Sequence, residues 1–224
     1  FLLLIFLPGI LNVIIFKYVP MAGIIIAFQN YNPIRGFFDS PWVGLYNFKR
    51  IFSSSKFMDV FWNSLFLNLK SLIFGFPCGL IFALVLHEAQ GKKLKKFTQA
   101  VSYLPYFISI VIVAGMVKLF LSPSSGFISQ GIGKILNIDP PYLMGMQSAA
   151  HPIYIITSIW KGFGWGSIVY LAALSGVDVQ LYEAAKVDGA SRIKRVWHIT
   201  LPALKPTIAI LLIMDVGHLM TSAF

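Results

Sequence analysis

The most distinctive spacing of residue types in the chain lies within residues 178–206. Its residues of interest are small, charged, apolar or helix-breaking, and in order they are Glu183, Ala184, Ala185, Asp188, Gly189, Ala190, Ile199, Leu201 and Pro202. The set holds no nucleophile beside a base and no group of metal ligands. Two alanines leave a helix backbone open to close approach by another protein, and Glu183 adds a carboxylate beside them. These residues therefore predict recognition of a protein partner rather than catalysis.

Local signals predict the structure that presents these residues. Asp178 can cap a short helix that runs to Val187, and Gly189 can end that helix in a left-handed conformation. A second short helix is predicted over residues 191–198. Pro202 and Pro206 are then expected to set the start of a long apolar helix. The prediction is a helix-turn-helix between two long apolar stretches.

The composition indicates that a bilayer is the solvent of most of the chain. Of its 224 residues, 57% are hydrophobic and 12% are charged, and the mean hydropathy is +0.77. That is more apolar surface than a soluble domain of this size can bury. A hydrocarbon core of about 30 Å needs roughly 20 helical residues. Five apolar runs of about this length predict an all-α, polytopic membrane helical bundle, and they cover residues 1–28, 63–86, 98–121, 152–174 and 206–224.

The distribution of basic residues predicts which ends of the spans are cytoplasmic. Residues 88–97 and 176–206 hold nine Lys and Arg, whereas the longer segments 29–62 and 122–150 hold five. Because cytoplasmic loops carry an excess of Lys and Arg, the two richer segments and the N-terminus are predicted to be cytoplasmic. The expected organisation is a first span at 1–28, an extracellular loop at 29–62, and a helical core at 63–224 that contains the cytoplasmic loop 176–206. The core is expected to continue beyond Phe224.

Several other interpretations fail on the residues themselves. The formal net charge of +10 comes from short basic runs rather than from one amphipathic face, so nucleic-acid binding is not predicted. One cysteine, Cys78, allows neither a disulfide within the chain nor a four-ligand zinc site. His87 and Glu88 lack the second histidine of a zinc-protease motif, because position 91 is Gly. No metal site is predicted.

The loop of residues 29–62 is rich in Asn, Pro, Gly and aromatic residues. It carries an amphipathic segment around residues 46–52. Two interpretations remain open, a belt of aromatic side chains at the membrane interface and a docking surface for another protein.

The full spacing of the first motif, Glu-Ala-Ala, three residues, Gly, nine residues, Ile, one residue, Leu-Pro, resembles the signature loop of permeases in binding-protein-dependent ABC importers. Other motifs are similar to the carbohydrate branch of that family, which includes the larger permease of the maltose system and permeases for oligosaccharides or polysaccharide fragments. These motifs are Tyr103-Leu104-Pro105, Ile159-Trp160-Lys161, Trp165-Gly166 and Tyr170-Leu171-Ala172-Ala173-Leu174. The resemblance covers nearly all of the chain.

The resemblance implies a type I importer permease of the bacterial inner membrane, with six or more spans in the full protein. It also implies a second permease subunit, two ATPase subunits that receive Glu183 and its neighbours in a cleft, and an extracellular solute-binding protein. ATP and Mg are expected on the ATPase subunits. No cofactor is expected on this chain, and it is not expected to be an enzyme. Its nearest approach to a phosphate-binding loop, Gly126 to Lys134, has the wrong spacing and a predicted extracellular position.

The implied carbohydrate substrate draws attention to aromatic and polar side chains within the spans. Sugars stack on aromatic rings and hydrogen-bond to polar groups, and ionisable groups inside spans usually face protein or water. The candidates for the substrate path are Trp160, Lys161, Phe163, Trp165, Tyr170, Asp215 and His218. Asp215 and His218 are one helical turn apart and could pair. Close helix packing is the favoured role for Gly162, Gly164 and Gly166.

Two other classes of function remain as alternatives. An ion-coupled secondary transporter would need charged relays deep in several spans and usually repeated halves, and neither is evident. A membrane-embedded enzyme would need a clustered nucleophile, base or metal set. ATP hydrolysis that is stimulated by a loaded binding protein would separate the importer from both.

Overall fold

The computed structural model describes residues 2–219, with side chains described from Phe6 onward. Residues 220–224, the end of the predicted fifth span, lie outside the described residues. In the described part, the only strand-like pairing is a bridge between Gln29 and Trp42. The predicted all-α class is confirmed. The described α-helices are α1 (Leu2–Val13), α2 (Val19–Met21), α3 (Tyr46–Phe52), α4 (Ser55–Glu88), α5 (Lys92–Phe107), α6 (Ile110–Phe120), α7 (Phe127–Leu136), α8 (Gln147–Ser175), α9 (Val179–Val187), α10 (Arg192–Arg195) and α11 (Leu201–His218).

Among the described residues, three helical stretches are long and apolar enough to cross a membrane, namely Phe6–Phe28, Ser55–Glu88 and Arg192–His218. Two further spans are obtained if each of two bent helix pairs counts as one. The first pair is α5 with α6, bent by 97°, and the second is α8 with α9, bent by 77°. Residues 2–219 therefore hold up to five spans, the number predicted.

The first of two compact units, Phe1–Asn63, contains the first span and the loop that follows it. The loop closes on the end of the span. Trp42 stacks on Phe28 with ring centroids 5.6 Å apart, and Asn47 Nδ2 donates to the carbonyl of Gln29 at 2.9 Å. Helix α3 forms where the amphipathic segment was predicted. The two interpretations of this loop both stay predictions.

The second compact unit, Ser64–Phe224, is built around α4, α8 and α11. Its apolar core consists of Ala83 from α4, Tyr170 and Leu174 from α8, and Leu204 from α11. These four residues are buried. The apolar surface that they remove from water stabilises the packing of the three helices.

The predicted third span, residues 98–121, is not one straight helix. Helix α5 ends at Phe107, the backbone of Ile108 is extended, and Ser109 caps α6 by accepting the N–H of Val111 at 3.4 Å. Pro105 already removes one backbone donor from the last turns of α5, and the Ser109 cap satisfies a donor of the new helix. Because both halves are apolar, hydropathy alone conceals the break.

The structure also corrects the predicted boundary between the second short helix and the fifth span. Arg192–His218 is one helix of 27 residues, and both Pro202 and Pro206 lie inside it rather than at its start. A π-turn at Val196–Thr200 directly precedes Pro202. A proline ring crowds the carbonyl four residues before it, and a wider turn at that point relieves the crowding.

Candidate functional site

The Glu-Ala-Ala segment, defined as residues 178–200, is folded by local hydrogen bonds. The Asp178 carboxylate accepts a backbone N–H of the first turn of α9 at 2.9 Å. At the other end Gly189 has a φ of +72°, and the N–H of Ala190 reaches back to the carbonyl of Ala185 at 2.8 Å. This is the Schellman pattern, in which the left-handed residue is usually Gly. The predicted cap, helix and left-handed turn are confirmed.

The outward face of this segment is open. Glu183 and Ala184 are exposed, and Val187 and Ile193 keep 88% and 71% of their surface. Within residues 2–219, the Glu183 carboxylate has no hydrogen-bond or ion-pair partner. The same segment carries the exposed basic side chains of Lys186, Arg192 and Lys194. An unpaired carboxylate, an alanine that leaves the helix backbone accessible, and large exposed apolar side chains together are typical of a protein-docking surface.

The remaining residues of the motif are less accessible or lie beside the helix junction. Ala185 and Ala190 are half-buried, whereas Asp188 is exposed at the end of α9. Ile199 and Leu201 are half-buried. Pro202, which is exposed, follows them in the continuous helix. The later residues of the motif, Ile199 to Pro202, therefore lie where the segment continues into α11. The earlier residues, from Glu183 onward, contribute to the open face.

The opposite side of the segment is anchored to other parts of its unit. Tyr182 Oη lies 3.1 Å from Oγ1 of Thr200, which is fully buried, and the Tyr182 ring packs on His87 with centroids 5.4 Å apart. Arg195 pairs with Glu88 at 3.4 Å. Sequence reasoning missed these contacts because no local pattern marks them; Arg195 and Glu88 are 107 positions apart.

The second feature is an open cavity of about 420 Å³ between α4, α8 and α11. Its volume lies within the roughly 300–1,000 Å³ range of small-molecule sites. Five of the predicted path residues line it, and they are Phe163, Trp165, Tyr170, Asp215 and His218. The polar lining residues that sequence reasoning missed are Asn68, Ser71, Tyr154 and Ser158. Aromatic rings beside hydrogen-bonding groups suit a ligand with many hydroxyls.

The two tryptophans proposed for the substrate path occupy different places. Trp165 lines this polar cavity and stacks on Tyr106, with ring centroids 4.5 Å apart. Trp160 instead lines a separate apolar cavity of about 460 Å³ formed by α6, α7 and α8. Residues five positions apart point to different sides of a helix. Lys161 is half-buried and is part of neither lining among the described residues.

The three glycines of α8 differ in their surroundings. A Cβ added to Gly164 would overlap the backbone carbonyl of Ser102 in α5, so Gly164 allows these helices to approach closely. A Cβ at Gly162 or Gly166 would meet no atom within 4 Å, and both glycines line the polar cavity. The predicted packing role is thus seen at Gly164, and the Gly166 backbone also lies close to Gly79 of α4, whereas Gly162 only lines the cavity.

The end of α11 lies at this cavity. Asn68 Nδ2, from α4, donates to the carbonyl of Leu219 at 3.0 Å. His218 Nδ1 lies 2.8 Å from the carbonyl of Met214, so that nitrogen is placed to donate its proton to the preceding turn. Asp215 and His218 share the cavity lining, and their direct pairing stays a prediction.

Comparison with protein families places the chain among transport components. Residues 75–224 match the model of the binding-protein-dependent transport system inner membrane component. The matched range includes α8 and the whole Glu-Ala-Ala segment.

Individual relatives agree with the family match. The polygalacturonan/rhamnogalacturonan transport system permease protein YteP of Bacillus subtilis is 42% identical over 228 residues, which cover 100% of this chain and 70% of YteP. The Protein LplB of the same organism is 41% identical over 100% of this chain and 70% of its own length. The trehalose/maltose transport system permease protein MalF of Thermococcus litoralis is 30% identical over 94% of this chain and 70% of its own length.

Solved structures give the same result for the fold. A chain in the crystal structure of a bacterial ABC transporter involved in the import of the acidic polysaccharide alginate matches with a TM-score of 0.88 and 42% identity, over 97% of this chain and 72% of that chain. The predicted resemblance is therefore confirmed: this chain belongs to the family of binding-protein-dependent transport system inner membrane components, and it is a multi-pass membrane permease of the kind found in ABC importers of sugars and polysaccharides.

Proposed function

We propose that this permease carries a saccharide through the cavity between α4, α8 and α11, and that an ATPase drives the movement by acting on the Glu-Ala-Ala segment. One observation supports this link most strongly. The segment joins α8 to α11, which are two of the three helices that line the cavity. A displacement of the segment as a rigid body would therefore shift two walls of the cavity and change its access.

The open face of the segment is the proposed seat of the ATPase. Ala184 permits close backbone approach, Val187 and Ile193 offer apolar area, and the free Glu183 carboxylate can accept charge-assisted hydrogen bonds. ATP and Mg would bind to the ATPase subunits and not to this chain. The energy of their reaction then reaches the permease as a displacement of α9.

The proposed assembly contains a second permease subunit, two ATPase subunits and an extracellular solute-binding protein. The excess of basic residues near the segment supports a cytoplasmic location for it and for the N-terminus. A related alginate transporter crystallised in complex with its alginate pentasaccharide-bound periplasmic protein, which supports a binding-protein partner.

The proposed substrate is an oligosaccharide released from a polysaccharide. Relatives that transport polygalacturonan/rhamnogalacturonan or alginate share 42% identity with this chain. Trp165 keeps 42% of its surface although it stacks on Tyr106, so part of its ring remains available for a sugar. Ser71 and Ser158 can hydrogen-bond to sugar hydroxyls in the same cavity.

Reconstitution of the complete transporter in vesicles tests this proposal. We expect ATP-dependent accumulation of an oligosaccharide only when its binding protein is present and loaded, together with stimulated ATP hydrolysis. The ion-coupled alternative predicts accumulation that follows a proton or sodium gradient and needs no ATP. Uptake of that second kind would overturn the proposal.

A further inference from the structure

The third wall of the cavity, α4, has a different connection to the Glu-Ala-Ala segment from the other two. Helices α8 and α11 are joined to the segment through the chain itself, but α4 ends at Glu88 and leads instead into α5. A movement of the segment reaches the end of α4 through non-covalent contacts. The contacts made at Glu88, the last residue of α4, therefore determine whether α4 moves together with α8 and α11.

The most directed of these contacts is made by one guanidinium group. Arg195 Nη2 lies 3.4 Å from Oε2 of Glu88, and its Nη1 donates to the carbonyl of Ala190 at 3.2 Å. The two charged side chains are only 10% and 19% exposed, so water screens their attraction less than at an open surface. Ala190 is also the residue that closes the turn of α9. One side chain thus connects the end of α4 to the turn and to α10.

A second contact joins the same two regions. The ring of Tyr182, in the middle of α9, packs on His87 beside Glu88, and its hydroxyl lies 3.1 Å from the hydroxyl of Thr200. The neighbouring apolar core around Ala83 and Leu204 also holds the helices together. Apolar contact is non-directional and allows helices to slide, whereas the forked bonds of Arg195 fix direction and register.

We infer that the Glu88–Arg195 ion pair is a latch that makes α4 move together with the Glu-Ala-Ala segment, so that all three walls of the cavity respond to the ATPase. Glu88 and Arg195 act as positioning residues, because their effect on the saccharide passes through α4. The inference rests on the proposed function of the segment.

The test uses the complete transporter, with its second permease, ATPases and binding protein, in vesicles. The variants are Glu88→Gln, Arg195→Gln, Arg195→Lys and the exchange Glu88→Arg with Arg195→Glu. Lys96→Gln removes an exposed basic charge from α5 and serves as the control. For each variant we measure the ATPase subunits that copurify and the number of ATP molecules hydrolysed per saccharide transported.

We expect Glu88→Gln and Arg195→Gln to retain the ATPase subunits, because the open face is unchanged, but to consume several-fold more ATP per saccharide. Arg195→Lys keeps the charge and loses the fork, so it should be intermediate. The exchanged pair should recover part of the coupling that each single Gln variant loses. Lys96→Gln should match the unmodified transporter.

An unchanged ratio of ATP to saccharide in both single Gln variants overturns the latch. The same holds if the variants only lower the yield of complex, since the pair would then stabilise the fold without transmitting movement. Failure of the proposed function itself would be seen elsewhere: Glu183→Lys would then leave ATPase binding and transport intact, whatever the latch variants do.

Discussion

The Glu-Ala-Ala segment and the polar cavity are built in opposite ways. The α9 part of the segment is folded by contacts between near neighbours, from the Asp178 cap to the turn at Gly189, and distant contacts such as the Glu88–Arg195 pair anchor its opposite side. The cavity exists only because three separate helices pack together, and one of its hydrogen bonds, from Asn68 to Leu219, spans 151 positions. A locally folded surface can dock without changing shape, whereas a space between helices changes whenever they shift.

This difference matches the two tasks proposed for them. A rigid docking surface moves as a unit when its partner moves. A cavity between long helices opens or closes to the substrate when those helices are displaced. The comparison predicts that substitutions in the helix contacts affect assembly of the whole protein. Substitutions on the open face of the segment should affect partner binding, and substitution of an exposed cavity-lining side chain such as Trp165 should affect the substrate.

The largest effect is expected at the contact between α5 and α8. Gly164→Ala places a methyl group against the carbonyl of Ser102 and should destabilise the protein by about 1–3 kcal/mol, the usual range for overpacking. Gly162→Ala, two residues earlier, meets open space and is the control. Thermal unfolding in detergent measures both. Equal melting temperatures would show that the helices do not approach as closely as described.

The next effect is expected at the left-handed turn. Gly189→Val forces a branched side chain to a φ of +72° and should cost about 1–2 kcal/mol locally, with loss of ATPase subunits on purification. Gly176→Ala is the control, since Gly176 lies between α8 and α9 with a φ of −88°, which an alanine adopts without strain. Insertion in the membrane should be normal for both. Retention of the ATPase by the Val variant at normal levels would contradict the assignment.

The smallest effect is expected in the cavity lining. Trp165→Ala removes a stacking surface worth about 1 kcal/mol and should weaken the apparent affinity for transported saccharide several-fold, with the complex intact. Trp160→Ala changes only the apolar cavity and should leave that affinity unaltered. Concentration-dependent uptake separates the two. If Trp160 mattered and Trp165 did not, the path would lie elsewhere.

The segment was predictable from sequence because its signals are local. Asp178 directly precedes the helix that it caps, and Gly189 closely follows the helix that it ends. The spacing of these two residues was therefore enough to predict both ends of the helix. The prediction failed only at the far side, where Pro202 was expected to begin a helix. The π-turn at Val196–Thr200 relieves the crowding by the Pro202 ring and lets the helix continue, so this proline does not mark a helix start.

The cavity was predictable only in part because its lining comes from distant segments. Aromatic and ionisable residues on α8 and α11 stood out by type, and five of them do line the cavity. The sequence could not show that Trp165 lines this cavity and Trp160 another, because that depends on which helices pack on each side of α8. Asn68 and Ser71 had no signal of their own, and the break at Ser109 was concealed by apolar residues on both sides.

The coupling role of the Glu-Ala-Ala segment is tested most directly by the charge reversal Glu183→Lys in the assembled transporter, with Asp139→Lys as an equal charge change at another exposed carboxylate. ATPase subunits bound per permease and saccharide uptake are measured in the same preparation. Because the open face would then present a cation where the ATPase is expected to offer a cation or a backbone donor, we predict loss of ATPase binding and of uptake for Glu183→Lys alone. Normal ATPase binding and normal uptake in Glu183→Lys would contradict the claim that this segment couples ATP hydrolysis to transport.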